Sequence, residues 1–98
     1  MRQNNVPFDE LLLSRARLSL LSALLSGDEI EFTVLRNMLG LSDGNLSVQI
    51  RKLEEAGYLK VKKVFVERRP KTFCKITEKG RQALESFTNY LNSLVHEK

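Results

Sequence analysis

The sequence predicts a mainly α-helical domain with one small β-hairpin (α+β), in the order α-β-α-α-β-β-α. Three observations predict it. Apolar residues recur at three- and four-residue spacing in four separate stretches, the period turns extended between Tyr58 and Thr77, and glycines or capping residues mark each change. Ninety-eight residues, 42% of them hydrophobic, suffice for one core and not for two. The expected division is a flexible arm over residues 1–8, a body over 9–77 and a C-terminal helix over 78–98.

The arm is polar and contains Pro7, with Val6 and Phe8 able to pack on the body or a partner. Asp9 is the expected cap of a first helix running to Gly27, in which Leu12, Leu13, Ala16, Leu20, Leu21, Leu24 and Leu25 form the apolar set. Arg15 and Arg17 fall on its other faces and read as solvated. Glu29 to Phe32 alternates polar and apolar residues as a very short strand would, to be paired with the later hairpin. Thr33 is expected to cap a second helix that buries Val34, Leu35, Met38 and Leu39 and leaves Arg36 and Asn37 outside.

Gly40-Leu41-Ser42 then forms a tight turn. Gly40 can take the positive φ that ends a helix, and the Ser42 hydroxyl can cap the next one, so residues 32–57 carry a helix-turn-helix signature. In the helix over 43–56, Leu46, Ile50 and Leu53 share an inward face, while Gly44, Val48, Arg51 and Glu55 fall opposite. Asn45, Ser47 and Lys52 flank that outer face, and Gln49 leans toward the buried side. With Arg51 these side chains are of the kinds that read base edges or hold phosphates. Ala56-Gly57 ends the helix.

Two strands follow, YLKVKKVFV and TFCKIT, around the loop Glu67-Arg68-Arg69-Pro70-Lys71. The alternation shifts at Lys63-Val64-Phe65-Val66, which predicts a bulge or a twist, and Phe73 with Ile76 gives a second sign of irregularity. Arg68, Arg69 and Lys71 gather at the tip, a geometry suited to phosphates or a minor groove. Cys74 reads as a small half-buried residue. Thr77 caps the last helix, along which Gly80, Leu84, Phe87, Leu91 and Leu94 repeat at spacings of four and three, with Ala83, Tyr90 and Val95 alongside. That seam is longer than this core can cover. From Phe87 onward it is expected to pair with a second copy of the chain.

Charge distribution points the same way. Net charge is +4, yet residues 42–76 alone hold nine basic side chains against four acidic, the footprint of a nucleic-acid binder. One cysteine and one histidine leave no set of metal ligands, and no cofactor is expected. Ser14, Ser47, Cys74 and His96 have no spacing that pairs a nucleophile with a base, so catalysis is not expected. With neither a membrane span nor a signal peptide legible, the expected location is the cytoplasm.

These residues resemble the winged helix-turn-helix transcriptional regulators of the MarR and ArsR type, most closely the short MarR-related DNA-binding domains. The resemblance covers about Leu11 to Tyr90 and rests on LSDGNLSVQIRKLEEAGYL and ITEKGRQAL. It implies a homodimer on double-stranded DNA, with helix 43–56 in the major groove and the wing over 67–71 on backbone or minor groove. The DNA-binding set is then Ser42, Asn45, Ser47, Val48, Gln49, Arg51, Lys52, Arg68, Arg69 and Lys71, and the dimerisation set Leu84, Phe87, Tyr90, Leu91 and Leu94. A repressor is expected. The sequence names no small-molecule effector: the extra helices that build the ligand pocket of full-length MarR relatives, and the ligands of ArsR metal sensors, are missing. The rival readings are a winged-helix protein-interaction module and a non-specific architectural DNA binder.

Overall fold

A computed structural model describes residues 7–96. A short 3-10 turn, Glu10–Leu12, precedes α1 (Arg15–Ala23), β1 (Ile30–Glu31), α2 (Phe32–Leu39), α3 (Asp43–Glu55), β2 (Leu59–Val66), β3 (Arg69–Ile76) and α4 (Glu78–His96). The order is the one the periodicity predicts.

The leading helical region is divided rather than continuous. Asp9 caps the 3-10 turn by accepting from Leu11 N–H at 2.9 Å, but the chain then breaks, and the Ser14 hydroxyl accepts from Arg17 N–H to start α1 afresh. The break turns Leu13 outward, and Leu25, past the end of α1, is exposed as well. Leu12, Leu20, Leu21 and Leu24 are fully buried beside Leu35 of α2 and Leu46 and Leu53 of α3.

Thr33 does not cap α2. The helix begins at Phe32, directly after β1, because the strand runs into it with no intervening loop and Glu31 occupies the cap position without a side-chain bond. Only Leu35 of α2 is buried; Val34 and Met38 are exposed, since the face shared by Phe32, Leu35 and Leu39 is the one turned to the core. Residues 1–6 of the expected arm, Val6 among them, lie outside the described residues. Phe8 packs edge-on against Phe87, ring centroids 4.9 Å apart, and lies 5.1 Å from Tyr90.

The sheet has the order β1-β3-β2 and is antiparallel throughout. No bulge interrupts it. Pairing runs without a skip from Leu59 opposite Ile76 to Val66 opposite Arg69, and the turn is Glu67-Arg68 alone, so Arg69, Pro70 and Lys71 belong to β3 and not to a loop. The sequence alternation shifts because the inner face of the hairpin runs past the body: Leu59, Cys74 and Ile76 are buried, whereas Lys63 and Phe65 on the same face are exposed. Phe73 simply occupies the opposite face of a regular strand from Ile76. Cys74 is fully buried rather than half-buried, and burial first, then the Glu54 carboxylate, pushes its thiol up to about 11.

The ends of α3, β3 and the start of α4 meet at one junction. Gly57 takes φ +83° and ends α3; the Thr77 hydroxyl donates to the Gly57 carbonyl at 2.7 Å and accepts from Gly80 N–H at 2.9 Å, capping α4. Tyr58, buried beside it, donates its hydroxyl to Asp9 at 2.6 Å; burial and that bond push the phenol up to about 12. Gly80 is thus a packing residue and not part of an exposed seam. A Cβ there would fall inside the Tyr58 carbonyl and 3.1 Å from Ile76 Cγ1. Gly80→Ala should therefore destabilise the fold by about 2 kcal/mol and lower Tm by about 10 °C, measured by circular dichroism on heating; an unchanged Tm would show that the junction yields freely.

Candidate nucleic-acid interface

Three residues join α2 to α3. Gly40 takes φ +66°, Leu41 follows, and Ser42 accepts from Asn45 N–H at 3.1 Å as the cap of α3. An ion pair from Arg36 Nη1 to Asp43 Oδ1 at 2.9 Å spans the turn. Leu46, Ile50 and Leu53 anchor α3 in the core, so the opposite surface is held rigidly outward. On it Ser42, Gly44, Asn45, Ser47, Arg51 and Lys52 are exposed, and Val48 and Gln49 are half-buried.

One flank of α3 is tied to the start of the chain. Arg17 Nε donates to the Leu11 carbonyl at 2.6 Å, Arg17 Nη1 donates to Gln49 Oε1 at 2.7 Å, and Gln49 Nε2 donates to Asn45 Oδ1 at 2.8 Å. Arg17 is therefore not a solvated residue. Its side chain reaches across 32 positions of sequence to the helix that carries the candidate contacts. Nothing in the local pattern around Arg17 signals this, because the signal is a contact between distant elements.

The other flank faces the hairpin across a groove of about 280 Å³ lined by Ser47 and Arg51 on α3 and by Val61, Lys63 and Thr72 on the sheet. Beyond the groove the hairpin ends in a two-residue turn with Glu67 at φ +52° and Arg68 at φ +69°, the left-handed pair that a type I′ turn requires. Arg68 and Arg69 are exposed there. Lys71 is not at the tip: it is half-buried and lies 3.7 Å from Glu31 of β1, just as Lys62 lies 3.0 Å from Glu29. Among the described residues, Arg51, Lys52, Lys63, Arg68 and Arg69 have no carboxylate partner. Phe65, to which the sequence pattern assigns no role, is 76% exposed on the α3 side of the hairpin, opposite Pro70.

Residues 16–95 match the family of winged helix DNA-binding domains. The chain belongs to that family. An uncharacterized protein of Methanocaldococcus jannaschii is 40% identical over 82 residues, which cover 84% of this chain and 86% of that protein. A solved structure of a transcriptional regulator homologue from Pyrococcus horikoshii superposes with a TM-score of 0.81 at 31% identity, covering 89% of this chain and 86% of that one. The same fold, at 19% identity and a TM-score of 0.67, is seen in a MarR-family regulator from Silicibacter pomeroyi, with 85% of this chain and 55% of that one covered. In the terms of this winged helix family, α2 and α3 are the helix-turn-helix and the β2–β3 hairpin is the wing.

The seam on α4 divides in two. Leu84 is buried in the core of the winged helix domain, and Phe87 and Tyr90 are half-covered, with Phe8 against both. Leu91, Leu94 and Val95 are exposed by 45%, 50% and 72%.

The wing turn holds two side-chain-bearing residues where Asn-Gly would sit without strain. The double substitution Glu67→Asn and Arg68→Gly should raise the unfolding free energy by about 1 kcal/mol, read as a later midpoint in urea. A midpoint that stays put or falls would show that the left-handed pair costs nothing.

Proposed function

We propose that this winged helix domain is a homodimeric, sequence-specific regulator of transcription that binds double-stranded DNA and represses by occluding a promoter. The observation that carries the reading is the distribution of unpaired cations. Lys62 and Lys71 within the wing are matched by Glu29 and Glu31, while Arg51 and Lys52 on the outer face of α3, Lys63 on the face of the hairpin turned to α3, and Arg68 and Arg69 at the wing tip face solvent without a carboxylate partner. Free cations gathered on α3 and on the facing side and tip of the hairpin are suited to a polyanion.

In this reading α3 enters the major groove, with Asn45, Ser47, Val48, Arg51 and Lys52 toward the bases, Ser42 near the backbone, and Gln49, whose amide is taken up by Arg17 and Asn45, behind Asn45 rather than on the bases. Arg68 and Arg69 hold phosphates or a minor groove, while Lys71 supports the wing through Glu31. The Pyrococcus horikoshii structure, described as that of a transcriptional regulator homologue, supports regulation as the output. The exposed Leu91, Leu94 and Val95 support pairing through α4, which would set two recognition helices on half-sites about one helical turn apart.

The deciding experiment is fluorescence anisotropy against DNA from upstream of the chain's own gene and a scrambled duplex, at two salt concentrations. Preference for the native fragment by about a hundredfold or more at the higher salt supports base readout; equal and steeply salt-sensitive binding leaves only an architectural role. Arg69→Ala should weaken binding to every sequence and reduce the salt slope by about 1, whereas Arg51→Ala should cost about 1 to 3 kcal/mol of discrimination between sites. Replacing both Leu91 and Leu94 with Glu should convert a dimer to a folded monomer in sedimentation equilibrium. A dimer that survives those two charges would place the interface elsewhere.

A further inference from the structure

Side-chain amides are ordinarily ambiguous in orientation, because their oxygen and nitrogen have nearly the same shape. Here an arginine removes the ambiguity. A guanidinium can only donate, so the Gln49 atom 2.7 Å from Arg17 Nη1 is the oxygen. The other branch of that amide is then the NH₂ group, a donor, and the Asn45 atom 2.8 Å from it is an oxygen in turn. The polarity runs one way along the chain of bonds, and it leaves the Asn45 NH₂ on the branch turned away from Gln49. Arg17 is itself fixed, since its Nε is bound to the Leu11 carbonyl.

We propose that Arg17 is a positioning residue that sets base preference at a distance, by holding Asn45 with its donor branch forward so that it selects an acceptor edge in the major groove, guanine over cytosine. The inference rests on the reading that α3 enters that groove. Guanine presents only acceptors there and cytosine only a donor, so the pair gives the sharpest contrast. Gln49→Glu tests the polarity with almost no change of shape. The carboxylate still accepts from Arg17 but has nothing to donate, so Asn45 must turn over, give its NH₂ to Glu at position 49 and send Oδ1 forward.

The experiment measures relative affinity for all four bases at each position of a site selected from random duplexes. Asn45→Ala locates the position concerned, as the one whose preference it abolishes. There the unaltered protein should favour guanine over cytosine by about tenfold, Arg17→Lys should keep that order, and Gln49→Glu should reverse it. An unchanged order in Gln49→Glu would overturn the inference while leaving groove reading intact; no base preference at any position in the unaltered protein would overturn both. Hydrogen exchange of side-chain amides in the unaltered protein, followed by nuclear magnetic resonance, tests the relay without DNA or mutation. Gln49 amide protons should exchange more slowly than those of Asn45, and equal rates would refute it.

Discussion

A single residue, Thr77, holds three elements in place. Its Oγ1 donates to the carbonyl of Gly57, two residues past the end of α3, and accepts from Gly80 N–H in the first turn of α4, and its backbone N–H donates to Tyr58 O at 3.1 Å where β2 is about to begin. Every direction that matters for the exposed surface passes through this point. The turn at Gly57 fixes where α3 stops, the start of β2 fixes where the wing leaves the body, and the cap of α4 fixes the last helix. The glycines on either side serve the same junction, Gly57 by its left-handed backbone and Gly80 by leaving room for the Tyr58 carbonyl. Tyr58 then extends it to Asp9 and the 3-10 turn, from which Leu11 reaches Arg17.

Charge is apportioned with a comparable economy. The two-residue strand β1 contributes little pairing of its own, but Glu29 and Glu31, just before and within it, meet Lys62 and Lys71 of the hairpin. Surface pairs of this kind contribute little stability each. Their effect is on the field: they cancel positive charge midway along the hairpin and leave that of Arg68 and Arg69 at the tip and of Arg51 and Lys52 on α3 uncancelled.

Much of this was legible in the sequence, for definite reasons. The element order follows from periodicity, and the helix-turn-helix from Gly40, Ser42 and the triplet Leu46, Ile50 and Leu53, all of which encode their structure locally. Local pattern and structure part where a long-range contact or the edge of the body decides. Thr33 is a good cap by composition, but the pairing of Ile30 with Cys74 moves the helix start ahead of it. Lys63 and Phe65 look like a register fault, yet they lie on the inner face of a regular strand at a height where no core remains to cover them. Lys71 reads as a tip residue until Glu31 is placed beside it, and Arg17 reads as surface until Gln49 is. Side-chain pairs between distant elements leave no period to detect.

The last helix has a mechanical side as well. Its first two turns are clamped by Gly80 and Leu84, while Leu91 to Val95 stand clear of the core, so α4 is a lever with a short fixed end and a long free one. At 1.5 Å per residue, Val95 lies about 22 Å from Gly80, and a tilt of about 10° at the clamp would sweep the free end through about 4 Å. A change of packing too small to unfold the domain can therefore re-aim everything mounted on the far end of the helix.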